Sequence, residues 1–297
     1  MANLKEVRTR ISSTMSTQQI TKAMKLVSAT KLRKAQNEII QMRPYARKLK
    51  GVLASLGGNV NSDVMAPFIS QREIKNVVLV VITSDRGLCG GFNANVIKLT
   101  LNLLRTTYKT QADAGKVTLL CIGKKGFDFF NKLKYPMVQG TWDLFHHFNS
   151  ENTFKIGDTL IDGFLKKESD EVVIIYNQFK NAATQILSAE KMLPVDVKTI
   201  EDASTTATKE THKKDYIFEP DKDGILNTLI PMSLRTQLYK ACLDSHAAEH
   251  GARMVAMDKA TDNAGELLKS LRLQYNQARQ AAITREISEI VGGAAAL

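Results

Sequence analysis

The hydrophobic period of this chain changes twice, and that change limits what it can fold into more than any other feature. From Leu4 to Leu56 the residues Leu4, Val7, Ile11, Met24, Val27, Ile39, Met42, Leu49 and Leu56 recur at three- or four-residue spacing, with Ala, Thr, Ser and Gln filling intermediate seam positions. Pro44 is the one proline in the stretch, and Gly57-Gly58 closes it. As a helix it would extend roughly 80 Å at 1.5 Å per residue. A stripe so thin cannot cover a globular core; it suits the seam of a coiled coil. At the other end, Leu234, Leu238, Ala241, Ser245, Ala248, Ala252, Val255 and Lys259 alternate steps of four and three, and Leu267, Leu271, Ile283, Ile287 and Ile290 continue apolar positions onward. From Asp223 to Ile290 such a helix would reach roughly 100 Å. Its small residues Ala241, Ser245, Ala248 and Ala252 would let a partner helix come close. Two long helices with one narrow stripe each are most simply satisfied by packing on each other, antiparallel.

Between them the period becomes that of strands. Val77–Thr83 is a continuous β-branched and aliphatic run, the mark of a buried parallel strand. A polar, glycine-rich stretch follows, then a helix predicted over 93–108, a strand over 117–122, a short helix over 126–133, a helix over 153–164 and a strand over 171–177. Residues 188–194 are expected to pair at an edge. This alternation predicts a small α/β unit with a parallel sheet. Residues 196–215, rich in Thr, Lys, Asp and Glu, read as a solvated connector.

Charge is distributed as unevenly as period. The 297 residues carry 41 Lys and Arg against 30 Asp and Glu, for a net +11. Residues 1–50 hold 12 basic and two acidic side chains, so they account for +10; residues 221–297 hold nine of each sign. A basic arm at one end predicts an acidic partner. Tyr45 is the single aromatic in those 50 residues, so the stacking platforms of single-strand binders are missing, while duplex binding stays open on charge alone. Cys89, Cys121 and Cys242 lie far apart without a CxxC, which excludes a disulfide framework and a zinc knuckle. The longest apolar run, Val77–Ile82, is far short of the roughly 20 residues of a membrane span. The amino end, MANLKEVRTR, has neither the apolar stretch of a signal peptide nor an Arg- and Ser-rich transit peptide. A soluble cytosolic chain of bacterial type is expected.

Three patterns could carry chemistry. Ser84–Phe92, SDRGLCGGF, follows a strand and precedes a helix, where phosphate loops sit, yet it matches neither GxGxxG nor GxxxxGK[ST]. A structural or contact turn is the better reading, with the Arg86 guanidinium at its tip able to grip a carboxylate. His246, Glu249 and His250 spell an H-x-x-E-H pattern on a predicted helix, but no third ligand or cleft accompanies it. Cys89 has no base near it in sequence and reads as a small residue in a tight turn. Neither catalytic residue, metal nor cofactor is expected. Gly251 reads as a weak point in its helix, costing about 1 kcal/mol against Ala.

Thr17–Gln36 (TQQITKAMKLVSATKLRKAQ), Ser84–Asn93 (SDRGLCGGFN), Met254–Ala264 (MVAMDKATDNA) and Tyr275–Leu297 (YNQARQAAITREISEIVGGAAAL) closely resemble the gamma subunits of the F-type ATP synthases. The resemblance covers both ends and the first strand–loop of the middle, in order. It implies an α/β fold plus a long antiparallel coiled coil of the terminal helices, with a Rossmann-like α/β domain inserted between them. The divisions would be a shaft helix over 1–57, the α/β domain over 74–195, a connector over 196–220 and a second shaft helix over 221–297.

What the resemblance implies for function is a rotor that does no catalysis itself. The terminal helices would occupy the bore of an alternating alpha–beta hexamer. The α/β domain would stand against the epsilon subunit and the c-ring, peripheral to the cytoplasmic face of the bacterial inner membrane. Nucleic acid is not a partner on this reading. Lys22, Met24, Lys25, Lys31, Arg33, Lys34 and Arg86 are the candidates for contact with an acidic loop of the beta subunits. Arg272, Gln274, Asn276, Arg279, Gln280 and Thr284 match the polar face that contacts beta nearer the tip. Ile283, Ile287 and Ile290 would form an apolar bearing at the tip itself. The paired cysteines of the chloroplast-type insertion are absent, so thiol gating is not expected.

Overall fold

A computed structural model describes residues 4–56, 65–70, 72–195 and 222–294. The expected connector over 196–220 lies outside these residues. Two compact units emerge, one of residues 1–30 with 253–297 and one of residues 31–252. Two long helices run through both: α1, Leu4–Leu56 with 53 residues, and α7, Lys222–Ala294 with 73. Each carries a proline inside it, Pro44 and Pro231, at the cost of one backbone hydrogen bond apiece.

In the first unit the two helical segments run in opposite directions. Gln18 Nε2 donates to the Thr261 carbonyl at 3.4 Å, the Thr21 and Thr261 hydroxyls meet at 2.8 Å, and Lys25 Nζ lies 2.5 Å from Asp258 Oδ1. Numbers rising along one segment meet numbers falling along the other. Val7, Thr21 and Ser28 are buried from α1, and Met257, Ala264, Leu268 and Leu271 from α7. The seam therefore differs from the expected one. Val27, Lys259 and Leu267 face outward, while Thr21, Ser28 and Leu268 face in. The physical reason is that hydroxyl and charged side chains bond across the seam here, so aliphatic positions alone do not trace it.

The second unit is built on a four-stranded sheet. Its strands are β1 (Val77–Ile82), β2 (Val117–Ile122), β3 (Glu171–Phe179) and β4 (Gln185–Leu193), in spatial order β2-β1-β3-β4. The first three pair in parallel, with Val77 opposite both Val117 and Glu171. β4 pairs antiparallel with β3, which corrects the expectation of a wholly parallel sheet. The connection dictates this: residues 180–184 are too few for a parallel crossover, and Asn181 Oδ1 accepts the backbone N–H groups of Ala183 and Thr184 to close a tight hairpin. The edge strand also starts at Gln185, three residues earlier than expected.

Helices cover both faces. α3 (Phe92–Arg105), the short α4 (Lys109–Asp113) and α5 (Lys124–Lys132) follow β1 and β2 in the chain. Val96, Leu104 and Phe130 pack with Val77, Leu79, Val81, Leu119, Cys121, Val173 and Ile175 on one face. α6 (Ser150–Leu165) begins at Asn149, whose side chain accepts from the Asn152 N–H at 2.8 Å as an N-cap. Its Leu160, Ile161 and Phe164 pack on the other face with Val80, Ile82, Leu120, Ile174 and Tyr176. The same cluster takes Leu53 from α1 and Leu226, Ile230, Leu234, Leu238, Ala241 and Cys242 from α7. Ala241 thus joins the core cluster beneath the sheet, a correction to its assignment to a two-helix seam alone. α2 (Ala66–Ile69) closes the corner through Phe68.

Candidate functional site

The loop after β1 has the position of a phosphate loop but spends its polar groups on itself. The Ser84 N–H donates to Asn93 Oδ1 at 2.9 Å, Ser84 Oγ donates to the Arg86 carbonyl at 2.7 Å, and Asn93 Nδ2 donates back to Ser84 Oγ at 2.7 Å. Asp85 Oδ1 accepts the Lys124 N–H at 3.1 Å, at the start of α5. Leu88 and Gly90 take φ of 63° and 60°, left-handed values that turn the chain back on itself. The Cys89 thiol is buried with Asn93 Nδ2 at 3.3 Å, and no side-chain base is among its hydrogen-bond partners.

The crevice at the carboxyl ends of β1 and β3 is where open α/β sheets commonly hold ligands. Here α7 fills it. Ala248 packs with Cys89 and Phe92, and Phe179 and Ala252 lie against the same cluster. Gly251 is buried, and a Cβ on it would sit 3.0 Å from the Ala182 carbonyl oxygen and 3.2 Å from the Ala182 Cα. The glycine is therefore a point of close approach, not the weak point that helix propensity alone predicts. Ala248 and Ala252 pack with Cys89, Phe92 and Phe179 at the glycine loop, where small side chains let α7 come close.

His246 and His250 turn toward each other with their Nε2 atoms 3.2 Å apart, and the His246 ring stacks on Phe145 at 5.5 Å. Among the described residues no group of three His, Cys, Asp or Glu side chains could hold a metal ion. The histidines belong to an aromatic layer with Phe148 and Tyr239. Asp244, one turn away, is buried, and desolvation lifts its carboxyl to about 6 against the opposing pull of Lys240 and Arg43. Cys121 is likewise pushed up to about 12 by burial, and Cys242 still higher. All three cysteines are free and buried.

The surfaces of the long helices are where the remaining candidates lie. Lys22, Lys31, Arg33 and Lys34 are exposed on α1, and Met24 and Lys25 are half-buried, Lys25 through its ion pair with Asp258. Arg86 is exposed on its loop in the second unit. Arg272, Gln274, Asn276, Arg279, Gln280 and Thr284 are all exposed along α7, where the Thr284 hydroxyl donates to its own helix at the Gln280 carbonyl. Ile283, Ile287 and Ile290 are 47%, 55% and 71% exposed. Val291 extends this stripe and was missed, although its i+8 spacing from Ile283 carried the signal. Ile20 and Leu26, also exposed, were missed because they fall off the periodicity used to find the seam. With Lys25 opposite Asp258, the segment of α7 beyond about residue 278 runs past Leu4 by roughly 16 residues, or ~24 Å.

A family model described as ATP synthase matches residues 3–297. The chain is 53% identical over 299 residues to the ATP synthase gamma chain of Flavobacterium johnsoniae, covering 100% of this chain and 99% of that one. The chain belongs to the ATP synthase gamma-chain family. It is 47% identical over 300 residues to the gamma chain of Chloroherpeton thalassium, with the same coverage. Among solved structures, a chain of the central stalk and c-ring of the Tetrahymena thermophila mitochondrial ATP synthase is 26% identical, with a TM-score of 0.57 over 81% of this chain and 99% of that chain. A chain of the Euglena gracilis mitochondrial enzyme shares the fold at a TM-score of 0.64, with 18% identity over 99% of this chain and 94% of that one. As a bacterial F-type gamma chain, it is a non-catalytic central-stalk subunit, and nucleotide chemistry belongs to the beta subunits. No described helix is long and apolar enough to cross a membrane.

Proposed function

We propose that this chain is the rotor that couples ion-driven turning of a c-ring to the cycling of the beta-subunit nucleotide sites. The terminal helices form an antiparallel coiled-coil shaft within an alpha–beta hexamer. A Rossmann-like domain over residues 74–195 is the base, against epsilon and the c-ring at the cytoplasmic face of the membrane, and 196–220 connects it to the second shaft helix over 221–297. Each beta site changes affinity because the shaft touches its open and closed forms differently; a contact equal in both would shift nothing. Lys22, Met24, Lys25, Lys31, Arg33, Lys34 and Arg86 meet the acidic beta surface, as do Arg272, Gln274, Asn276, Arg279, Gln280 and Thr284 toward the tip. Ile283, Ile287 and Ile290 bear on an apolar collar.

One observation carries the reading: the match to bacterial gamma chains spans the whole length of the chain, including the exposed tip that has no use in an isolated protein. A helix end that leaves aliphatic residues in water calls for a surface to cover them. The test is to tag this chain in its own cell and purify it with the complex intact. Alpha, beta and epsilon subunits should come with it in fixed ratio, with ATPase activity; recovery of the chain without alpha and beta would overturn the assignment.

A further inference from the structure

Between residues 14 and 28, α1 is amphipathic in the reverse sense. The positions that step by four and three from the buried Val7 are Ile11, Thr14, Gln18, Thr21, Lys25 and Ser28, and every one from Thr14 to Ser28 is polar. All are half-buried or buried, whereas Ile20, Leu26 and Val27 on the same stretch are 59%, 64% and 57% exposed. The α1 side of this seam, built of hydroxyls, an amide and a charge, gains little from burial against Met257, Ala264 and Leu268, so apolar attraction is a poor explanation for its composition. What such a seam has is geometry. Thr21 and Thr261 share a hydrogen bond of 2.8 Å, and one turn on Lys25 pairs with Asp258 at 2.5 Å. Apolar seams tolerate a shift of one heptad because any aliphatic knob fits the next hole, while part-buried polar pairs matched across the seam are satisfied in one register.

We propose that Thr21, Lys25, Asp258 and Thr261 form a register key for the two shaft segments, setting which turn of α1 faces which turn of α7. A shift of seven residues along α7 would set Thr21 opposite Leu268 or Met254 and Lys25 opposite Gly265 or Gly251, so both cross-helix bonds would be lost and each threonine would keep only the bond to its own helix, Thr21 to the Gln18 carbonyl and Thr261 to the Met257 carbonyl. Two helices that transmit torque must not absorb it by sliding past each other, and the key supplies that resistance without deepening the apolar seam. The torque argument rests on the central-stalk reading; the register itself does not.

The test reads register directly in the full-length chain, alone and assembled with its partners. The Gln18 side chain reaches across to α7, where a Cβ on Gly265 would lie 3.0 Å from its Nε2, so Gln18→Cys with Gly265→Cys joined by a thiol-specific cross-linker about the length of that side chain reports the native register, and Gln18→Cys with Arg272→Cys reports a shift of seven. The native cysteines are buried and do not compete. With the key intact, the cross-linker should close the first pair almost completely and the second in under about a tenth of molecules. Replacing the key by Thr21→Val, Lys25→Leu, Asp258→Leu and Thr261→Val should raise closure of the shifted pair at least fivefold, with helicity unchanged by circular dichroism. Lys25→Asp alone should have the same sense of effect, and adding Asp258→Lys should restore the native pair, which keeps the test decisive if the apolar variant does not fold. Native-register closure that persists in the apolar variant, or a swap that fails to rescue, would overturn the proposal. A shifted register with coupling unchanged would leave the key standing and count against the rotor reading instead.

Discussion

Gly251 is the residue at which helix propensity and packing disagree most sharply. Propensity favours a larger side chain there, but the Ala182 backbone leaves no room for one. Gly251→Leu should therefore lower the unfolding free energy by about 1–3 kcal/mol, the usual cost of overpacking, measured by urea denaturation; a gain in stability would mean that the 180–184 turn yields freely. Asp244 makes a second prediction with a definite sign. Its carboxyl titrates near 6 in the folded chain, above its unfolded value, because burial opposes the charge, with Glu190 adding to that effect and Lys240 and Arg43 opposing it. A raised pKa contributes stability below the unfolded value, and that contribution is lost as pH rises through the folded one. Asp244→Asn should match the wild type near pH 4 and exceed it above pH 7, by on the order of 2 kcal/mol, in melting curves across that range. Neither residue was legible in the sequence. Gly251 needs its neighbour across the fold, and Asp244 looks like any solvated carboxylate until its surroundings are known. The exposure of Arg86 was legible, because a charged residue between a strand and a glycine run has few places to point.

At the scale of elements, what the sequence revealed follows from how local the cause was. β1, β2 and both long helices were found because period and β-branching report them directly. The antiparallel β4 needed the length of the 180–184 turn as well as the period. Along the helix seam, the Thr, Ser and Gln positions expected between the aliphatic ones do face inward between residues 14 and 28, while Val27, expected inside, faces out. The small residues Ala241, Ala248 and Ala252 were given to a helix seam when they meet the sheet and the glycine loop. The exposed basic cluster of α1 supports a prediction at this scale. Reversing Lys31, Arg33 and Lys34 to Glu should leave helicity largely intact, since each is exposed on α1, and should weaken coupling through like-charge contact with the beta surface. Proton pumping per ATP in reconstituted vesicles measures this; an unchanged ratio would remove these residues from the contact.

For the whole molecule, the account turns on an overhanging helix tip and a chain without chemistry of its own. A bearing needs apolar contact of similar energy at every angle, so shortening the chain from its end should degrade torque gradually. Deleting residues 292–297 should leave most ATP hydrolysis in the assembled complex, and deletion back through Tyr275 should cost far more because Arg279 and Gln280 go with it. Abolition of hydrolysis by the shorter deletion would make the tip a latch instead. The central claim is that this chain turns inside its complex. The direct measurement fixes the beta subunits to a surface, attaches a bead to this chain through an exposed residue of the α/β unit, and supplies ATP. The account predicts unidirectional stepwise rotation of the bead with three stopping positions per turn, and a bead that stays still while the same complexes hydrolyse ATP would contradict it.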